Sequence, residues 1–234
     1  MAQAIDYFYR EHWAADIQMR VSHGARRQMF ERWHAYAGHP SAGRLLDVGS
    51  TPDTERLDSN CMIPWFHQVG LQVTLYSPED LSGLAETFSF ARILPARGFG
   101  EPIPVSRREY DWVTASAVLE HVGTAANQTA FIAECARAGR GLFLTTPNRW
   151  HWLEFHTKLP LSHWLPRSTH RSVLRALKLP FWAEEKNLRL VGRDELGALA
   201  TAALGHDWEW TVSSVRTLGM PSNLLLLARF RGER

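Results

Sequence analysis

The stretch DWEWTVSSVRTLGMPSNLLLLARFRG, residues 207–232, decides the fold. Its two strand-like runs, 207–219 and 223–232, are separated only by Met220-Pro221-Ser222. Strands joined that tightly must run antiparallel, because a parallel pair needs a long crossover between its members. The chain before it has the opposite character. Apolar runs at 44–48, 71–76, 88–94, 112–115 and 141–145 read as strands, and helical stretches such as 127–137 and 193–204 lie among them. Apolar runs alternating with helices imply a parallel sheet buried on both faces by crossover helices. The expected fold is therefore α/β: a doubly wound, mostly parallel sheet with a C-terminal antiparallel hairpin.

Composition narrows the function classes. The chain has 234 residues, of which 45% are hydrophobic and 21% charged, the mix of an ordinary globular domain. A net charge of +2 gives no global field to attract nucleic acid, so no nucleic-acid partner is expected. Cys61 and Cys135 stand apart from any metal-ligand spacing and read as free thiols of a reducing, cytoplasmic compartment. The opening MAQAIDYFYREHW lacks a basic start and an apolar core, so a signal peptide is not expected. No apolar run reaches the ~20 residues of a membrane span.

Three regions follow from the pattern. Ile5, Phe8, Tyr9, Trp13 and Ile17, then Met29, Phe30 and Trp33, recur at helical spacing, which predicts an N-terminal helical cap over 1–42. Residues 43–234 carry the α/β domain. Within it, 149–185 departs from the alternation. Four of the ten tryptophans fall between Trp150 and Trp182, and prolines at 160, 166 and 180 cut the segment into short pieces. Residues 149–182 hold six Lys or Arg against one acid, Glu154. Such a segment reads as a lid or substrate wall. Residues 168–179 form a basic amphipathic candidate helix; a folded cap whose tryptophans bury against the sheet is the favoured reading, with a weak membrane-interface contact through 149–182 as the alternative.

In doubly wound sheets, ligands bind at the carboxyl ends of the strands. At the first such end, Asp47 and Gly49 combine a carboxylate with a backbone that a ligand can approach, although positions 51 and 53, where glycines would extend the pattern, hold Thr51 and Asp53. An ordinary strand-to-loop turn explains this stretch equally well when it is taken alone. After the second strand, Glu79 or Asp80 is placed to accept both hydroxyls of a ribose. The stretch YDWVTASAVLEHVG (110–123) follows small Ala115, Ser116 and Ala117 with Glu120 and His121, and that histidine is a candidate general base. Asn148 and the chain beyond it should overhang the same cleft. His151, His156, His163 and His170 lie five, seven and seven residues apart with no cysteine partner, so no metal is expected.

Taken together, LLDVGS (45–50), the acid after the second strand, YDWVTASAVLEHV (110–122) and the terminal hairpin resemble the class I S-adenosylmethionine-dependent methyltransferases. DSN (58–60), PED (78–80) and TTPNRW…EFHT.LPLSHWLP (145–166) look like a bacterial subgroup of that family. The resemblance implies a Rossmann-like sheet of seven strands, one of them antiparallel, and S-adenosylmethionine as cofactor. It places Asp47, Gly49, Ser50 and Thr51 around the methionine half, Glu79 with Asp80 on the ribose, and Ser116 and Ala117 beside the sulfonium. After the third strand the chain reads Ala96-Arg97-Gly98-Phe99. Arg97 cannot accept from the adenine amino group, so backbone and stacking on Phe99 would hold the base.

The function expected is methyl transfer to a small-molecule acceptor of apolar or natural-product type. His121 or His156 would take the acceptor's proton, Glu154 would orient a histidine, and Asn148 would position a polar substrate group. Two alternatives stay open at this point: a non-methylating enzyme on the same fold, or a catalytically silent binding partner. A nicotinamide-dependent dehydrogenase fits less well, because it would need the three-glycine fingerprint.

Overall fold

Alternation along each strand sends neighbouring side chains to opposite faces. In β1 (Arg44–Val48) Leu45 and Leu46 are both fully buried, each in a different apolar core. The computed structural model describes residues 15–98 and 100–232. Ile5, Phe8, Tyr9 and Trp13 of the expected helical cap, and Phe99, lie outside the described residues. The remaining strands are β2 (Gln72–Tyr76), β3 (Arg92–Ile93), β4 (Tyr110–Ser116), β5 (Gly139–Pro147), β6 (Trp208–Thr217) and β7 (Met220–Phe230). They form one sheet in the order β3-β2-β1-β4-β5-β7-β6. Every pairing is parallel except those of β7, which is antiparallel to β5 and to β6. The sheet is thus α/β and mostly parallel, as the hairpin and the alternation predict, and it has the seven strands that the resemblance implies.

One face is covered by α1 (Ala15–Tyr36), α2 (Met62–Gln68) and the short α3 (Leu84–Thr87). Trp33 of α1 is fully buried there, with ring centroids 4.9 Å from Phe66, 5.6 Å from Trp112 and 5.9 Å from Phe143. The other face carries α4 (Ala125–Ala138). After it comes an insert bearing α5 (Arg167–Ala176) and α6 (Pro180–Ala183), and then α7 (Arg193–Leu204), which packs beside α4. Thr124 caps α4, its hydroxyl accepting from the Asn127 amide at 3.3 Å.

Two local expectations are corrected. The reversal between β6 and β7 is not at Met220-Pro221-Ser222, which lies within β7, but at Leu218-Gly219, between the paired Thr217 and Met220. Both turn residues have positive φ (51° and 81°), as a two-residue hairpin matched to the twist of the strands requires, and proline's fixed negative φ cannot supply this. The run at 88–94 is mostly not strand. Only Arg92–Ile93 pairs with β2, while Phe88 and Phe90 pack as rings, Phe90 stacking on His67 at 4.0 Å.

The insert leaves the sheet at Asn148 and returns at Val191. These two residues pair in an isolated parallel bridge, and the Arg149 amide donates to the Val191 carbonyl at 3.0 Å. The base of the insert is therefore pinned directly beyond the carboxyl end of β5.

Candidate active site

The strand order places the topological switch between β1 and β4, so the loops after β1, β2, β4 and β5 meet at one edge. Asp47 lies near the end of β1, buried, and accepts from the Ser50 hydroxyl at 2.6 Å. Burial lifts its carboxyl to about 6, the Ser50 bond opposing part of the rise. Gly49 has φ +88°, and its amide donates to the Tyr76 carbonyl at the end of β2 (2.8 Å). A Cβ at this position would come within 2.4 Å of Val118 Cγ2, so the loop after β4 closes directly over the loop after β1. Gly49→Ala should therefore cost about 1–3 kcal/mol in chemical denaturation, from positive φ and overpacking together. A variant as stable as the parent would mean that the two loops are not in contact.

The positions that lack glycine are held another way. Asn60, itself at φ 54°, accepts from the Thr51 amide (3.2 Å) and donates to the carbonyls of Thr51 (2.8 Å) and Asp53 (3.1 Å). The Asp53 carboxylate accepts from the Glu55 amide and the Ser59 hydroxyl, both at 2.9 Å. Beneath them, buried Asp58 pairs with Arg56 at 2.9 Å and Arg26 at 3.4 Å. Side-chain bonds thus shape a turn that glycines would otherwise shape. Sequence reading missed Asn60. Its signal is that asparagine tolerates the left-handed conformation. Thr51 Oγ1 is buried with no hydrogen-bond partner among the described residues.

Beyond β2, Glu79 is half-buried and its carboxyl is raised by burial, whereas Asp80 is exposed and accepts from the Ser82 amide and hydroxyl. Those two bonds hold Asp80 below its ordinary value. Arg97 is exposed.

Beyond β4, the half-buried Ser116 accepts from Thr145 Oγ1 (3.2 Å), and Ala117 takes φ 58°. A 3₁₀ turn, Leu119–His121, then turns Glu120 inward, fully buried. Thr146 donates to Glu120 Oε2 at 2.9 Å, while Oε1 has no hydrogen-bond partner among the described residues. Burial raises this carboxyl. His121 Nδ1 donates to the Asn187 carbonyl at 2.7 Å, which places the lone pair on Nε2. Burial, with help from neighbouring His156, holds His121 down at about 3.

The turn is fastened to the returning end of the insert. Gln128 of α4 donates to the carbonyls of Leu119 and Arg189, both at 2.9 Å, and the Arg189 amide donates to the Glu120 carbonyl at 2.7 Å. Neither Gln128 nor Asn187 carries a chemical signature in sequence. Both act by closing backbone contacts between distant segments.

From the insert, Glu154 is buried and takes four bonds: from the His156 amide (3.0 Å) and Nδ1 (2.6 Å), and from the Thr157 amide (2.6 Å) and hydroxyl (2.7 Å). Burial alone would raise its carboxyl, but His156 and these donors outweigh burial and take it to about 2. His156 is displaced upward: burial opposes this, and Glu154 prevails. The rings of His121 and His156 stand 4.9 Å apart at 84°, with Trp182 5.1 Å from His156. The structure therefore brings together Glu120, His121, Glu154 and His156, which lie far apart in the chain. Asn148 is committed to backbone, its amide donating to Pro221 and accepting from the Trp150 N–H. His163 contacts the His151 carbonyl, and among the described residues neither joins His156 in a three-ligand group.

The crevice between Pro147, Asn148, His151, Glu154 and Ser222 is too narrow for a water. A wider cleft of about 400 Å³, lined by Arg97, Ile103, Glu109 and Arg137, opens near the amino ends of β4 and β5, away from these groups. Outward, the insert exposes Trp150, Leu161, Trp164, Leu165 and Phe181. No helix among the described residues is long and apolar enough to cross a membrane.

Residues 21–192 match the family model described as a methyltransferase domain. No curated protein matches the chain. Among solved structures, the 1,6-didemethyltoxoflavin-N1-methyltransferase of Burkholderia thailandensis, bound to 1,6-didemethyltoxoflavin and S-adenosylhomocysteine, superposes with a TM-score of 0.56. The identity is 16%, over 88% of this chain and 78% of that one. A SAM-dependent methyltransferase of Methanosarcina mazei gives 0.54 at 16% identity, over 81% and 93%. One from Aquifex aeolicus gives 0.56 at 11% identity, over 94% and 100%. At these identities the likeness speaks for the fold.

Proposed function

The chain belongs to the methyltransferase-domain family, and on that premise we propose that it transfers a methyl group from S-adenosylmethionine to a small-molecule acceptor bound between the turn after β4 and the insert. The observation that carries this reading is the pair of acceptors across the ends of β1 and β2. Buried Asp47 meets one hydrogen bond, from Ser50, and half-buried Glu79 has a carboxylate with no hydrogen bond among the described residues. Acceptors so placed suit a ligand with an ammonium at one end and a diol at the other. Thr51 Oγ1, buried and unpartnered, adds a hydroxyl for the same ligand, and Gly49 leaves its backbone bare. The residues therefore fit the cofactor.

When bound, S-adenosylmethionine supplies an electrophilic methyl group on a sulfonium. The protein's part is alignment and proton transfer. Ser116 and Ala117 form a small-residue floor at the end of β4, and the 3₁₀ turn after them presents His121. His121, held through Nδ1 by the Asn187 carbonyl, presents Nε2 as the proton acceptor for a hydroxyl or amine. His156, fixed by Glu154, donates toward charge that develops on the acceptor. The almost complete enclosure of Glu120, His121 and His156 favours a small acceptor over a macromolecular surface.

Calorimetric titration with S-adenosylmethionine and S-adenosylhomocysteine tests the reading. We expect one site for each, and binding of neither would overturn it. If His121→Ala and His156→Ala both leave turnover intact in protein that still binds cofactor, the base assignment is wrong.

A further inference from the structure

We propose that Glu120, His121 and His156 form a binding site for a divalent first-row metal ion of the zinc type. One ligand-capable atom from each residue lies within 4.8 Å of the other two, and Glu120 Oε1 is 3.9 Å from His121 Nε2. Donors sharing one ion at ~2.0–2.2 Å stand roughly 3–3.5 Å apart, so the cluster needs to tighten by at most about 1.5 Å. Two imidazoles and one carboxylate on one side of an ion leave positions open for solvent or substrate, the donor set of catalytic zinc and related metals.

Each ligand also has one atom held by an outer partner. His156 donates from Nδ1 to Glu154 at 2.6 Å, the carboxylate–histidine arrangement that orients metal-bound imidazoles. His121 donates from Nδ1 to the Asn187 carbonyl at 2.7 Å. Glu120 accepts from Thr146 at Oε2. The independent observation is Glu120 Oε1: it is fully buried, lies on the His121 side, and has no hydrogen-bond partner among the described residues. An acceptor left unsatisfied in a buried site is costly unless a ligand completes it.

The spacing of the insert's histidines gives no hint of this site, because two of its ligands come from the turn after β4. The metal site does not depend on the methyl-transfer reading. Its consequence for substrate does: with the ion bound, His121 Nε2 is a ligand rather than the proton acceptor, and the open positions suit an acceptor hydroxyl. Its O–H bond breaks with the proton passing to solvent, and the O–CH₃ bond forms as the methyl–sulfur bond of the cofactor breaks, releasing the neutral thioether.

The test is metal binding by the full chain without cofactor. Chelator-stripped protein is titrated with Co²⁺ and then with Zn²⁺ in competition with a chromophoric chelator. We expect one equivalent of Co²⁺ with visible d–d bands that Zn²⁺ displaces, and a rise in melting temperature with Zn²⁺. Glu120→Gln and His156→Gln should weaken Zn²⁺ by at least about 100-fold, and Glu154→Gln by about 10- to 100-fold. His206→Ala, on an exposed residue, should change nothing. Absence of a stoichiometric Co²⁺ spectrum in the parent overturns the site, whether or not the variants fold. So does equal affinity in a folded Glu120→Gln protein. Neither result bears on cofactor binding, which the separate titration with S-adenosylhomocysteine reads.

Discussion

Asp47→Asn is expected to weaken S-adenosylhomocysteine binding at neutral pH by at least about 30-fold, a loss of about 2 kcal/mol, while making the ligand-free protein more stable. Both effects come from one buried carboxylate. Without ligand its charge faces a single hydroxyl donor, Ser50, in a buried site. The folded carboxyl sits at about 6 against 3.8 for the free side chain, a difference of about 2 pK units or roughly 3 kcal/mol. Because the folded value is the higher one, the favourable contribution is fully present below 3.8 and is lost as pH rises through about 6. Urea midpoints measured over that window should fall more steeply for the parent than for Asp47→Asn, which keeps the shape and loses the titration. The ligand's ammonium reverses the balance by favouring the ionised form, so the parent's affinity should decline as pH falls below about 6. Equal pH slopes for the two proteins, or unchanged affinity in the variant, would remove Asp47 from the cofactor site.

Trp33→Ala should cost about 3–5 kcal/mol of unfolding free energy. Trp33 is completely buried between α1 and the sheet, in ring contact with Phe30, Phe66, Trp112 and Phe143. Deleting the indole leaves a cavity walled by other rings, which cannot collapse to fill it. Trp33→Phe should cost roughly half as much, since it keeps a ring and removes an indole N–H that has no hydrogen-bond partner among the described residues. Guanidinium denaturation of the three proteins decides the matter. A Trp33→Ala protein within about 1 kcal/mol of the parent would mean that α1 unfolds separately from the sheet.

Much of the fold was legible because its signals are local. Leu45-Leu46 and Leu224 through Leu227 alternate between faces simply because strand geometry has a period of two, and both faces are buried. The antiparallel sense of β7 followed from the short link, although the link itself was misplaced. Leu218-Gly219 carries the glycine signal, and the more conspicuous Pro221 sits in the strand. Phe88 and Phe90 look like strand residues because rings favour strands, yet here they pack on α2. At the site, Asp47 and Glu79 could be named because their position after a strand is itself the signal. Gln128 and Asn187 could not, because each works through backbone groups of segments remote in sequence.

By itself the sequence determined the layering, the sense of the strands and the edge at which ligand-facing loops gather. These depend on apolar periodicity and on the length of connections, which any short window of the chain displays. Only the tertiary structure decided that Glu120 and His121 from the turn after β4 meet His156 from the insert. That meeting depends on the insert being pinned at both ends, by Asn148 with Val191 and by the Glu120–Arg189 backbone bond. Side chains 35 residues apart carry no local mark of their contact; the closure of the loop between them creates it.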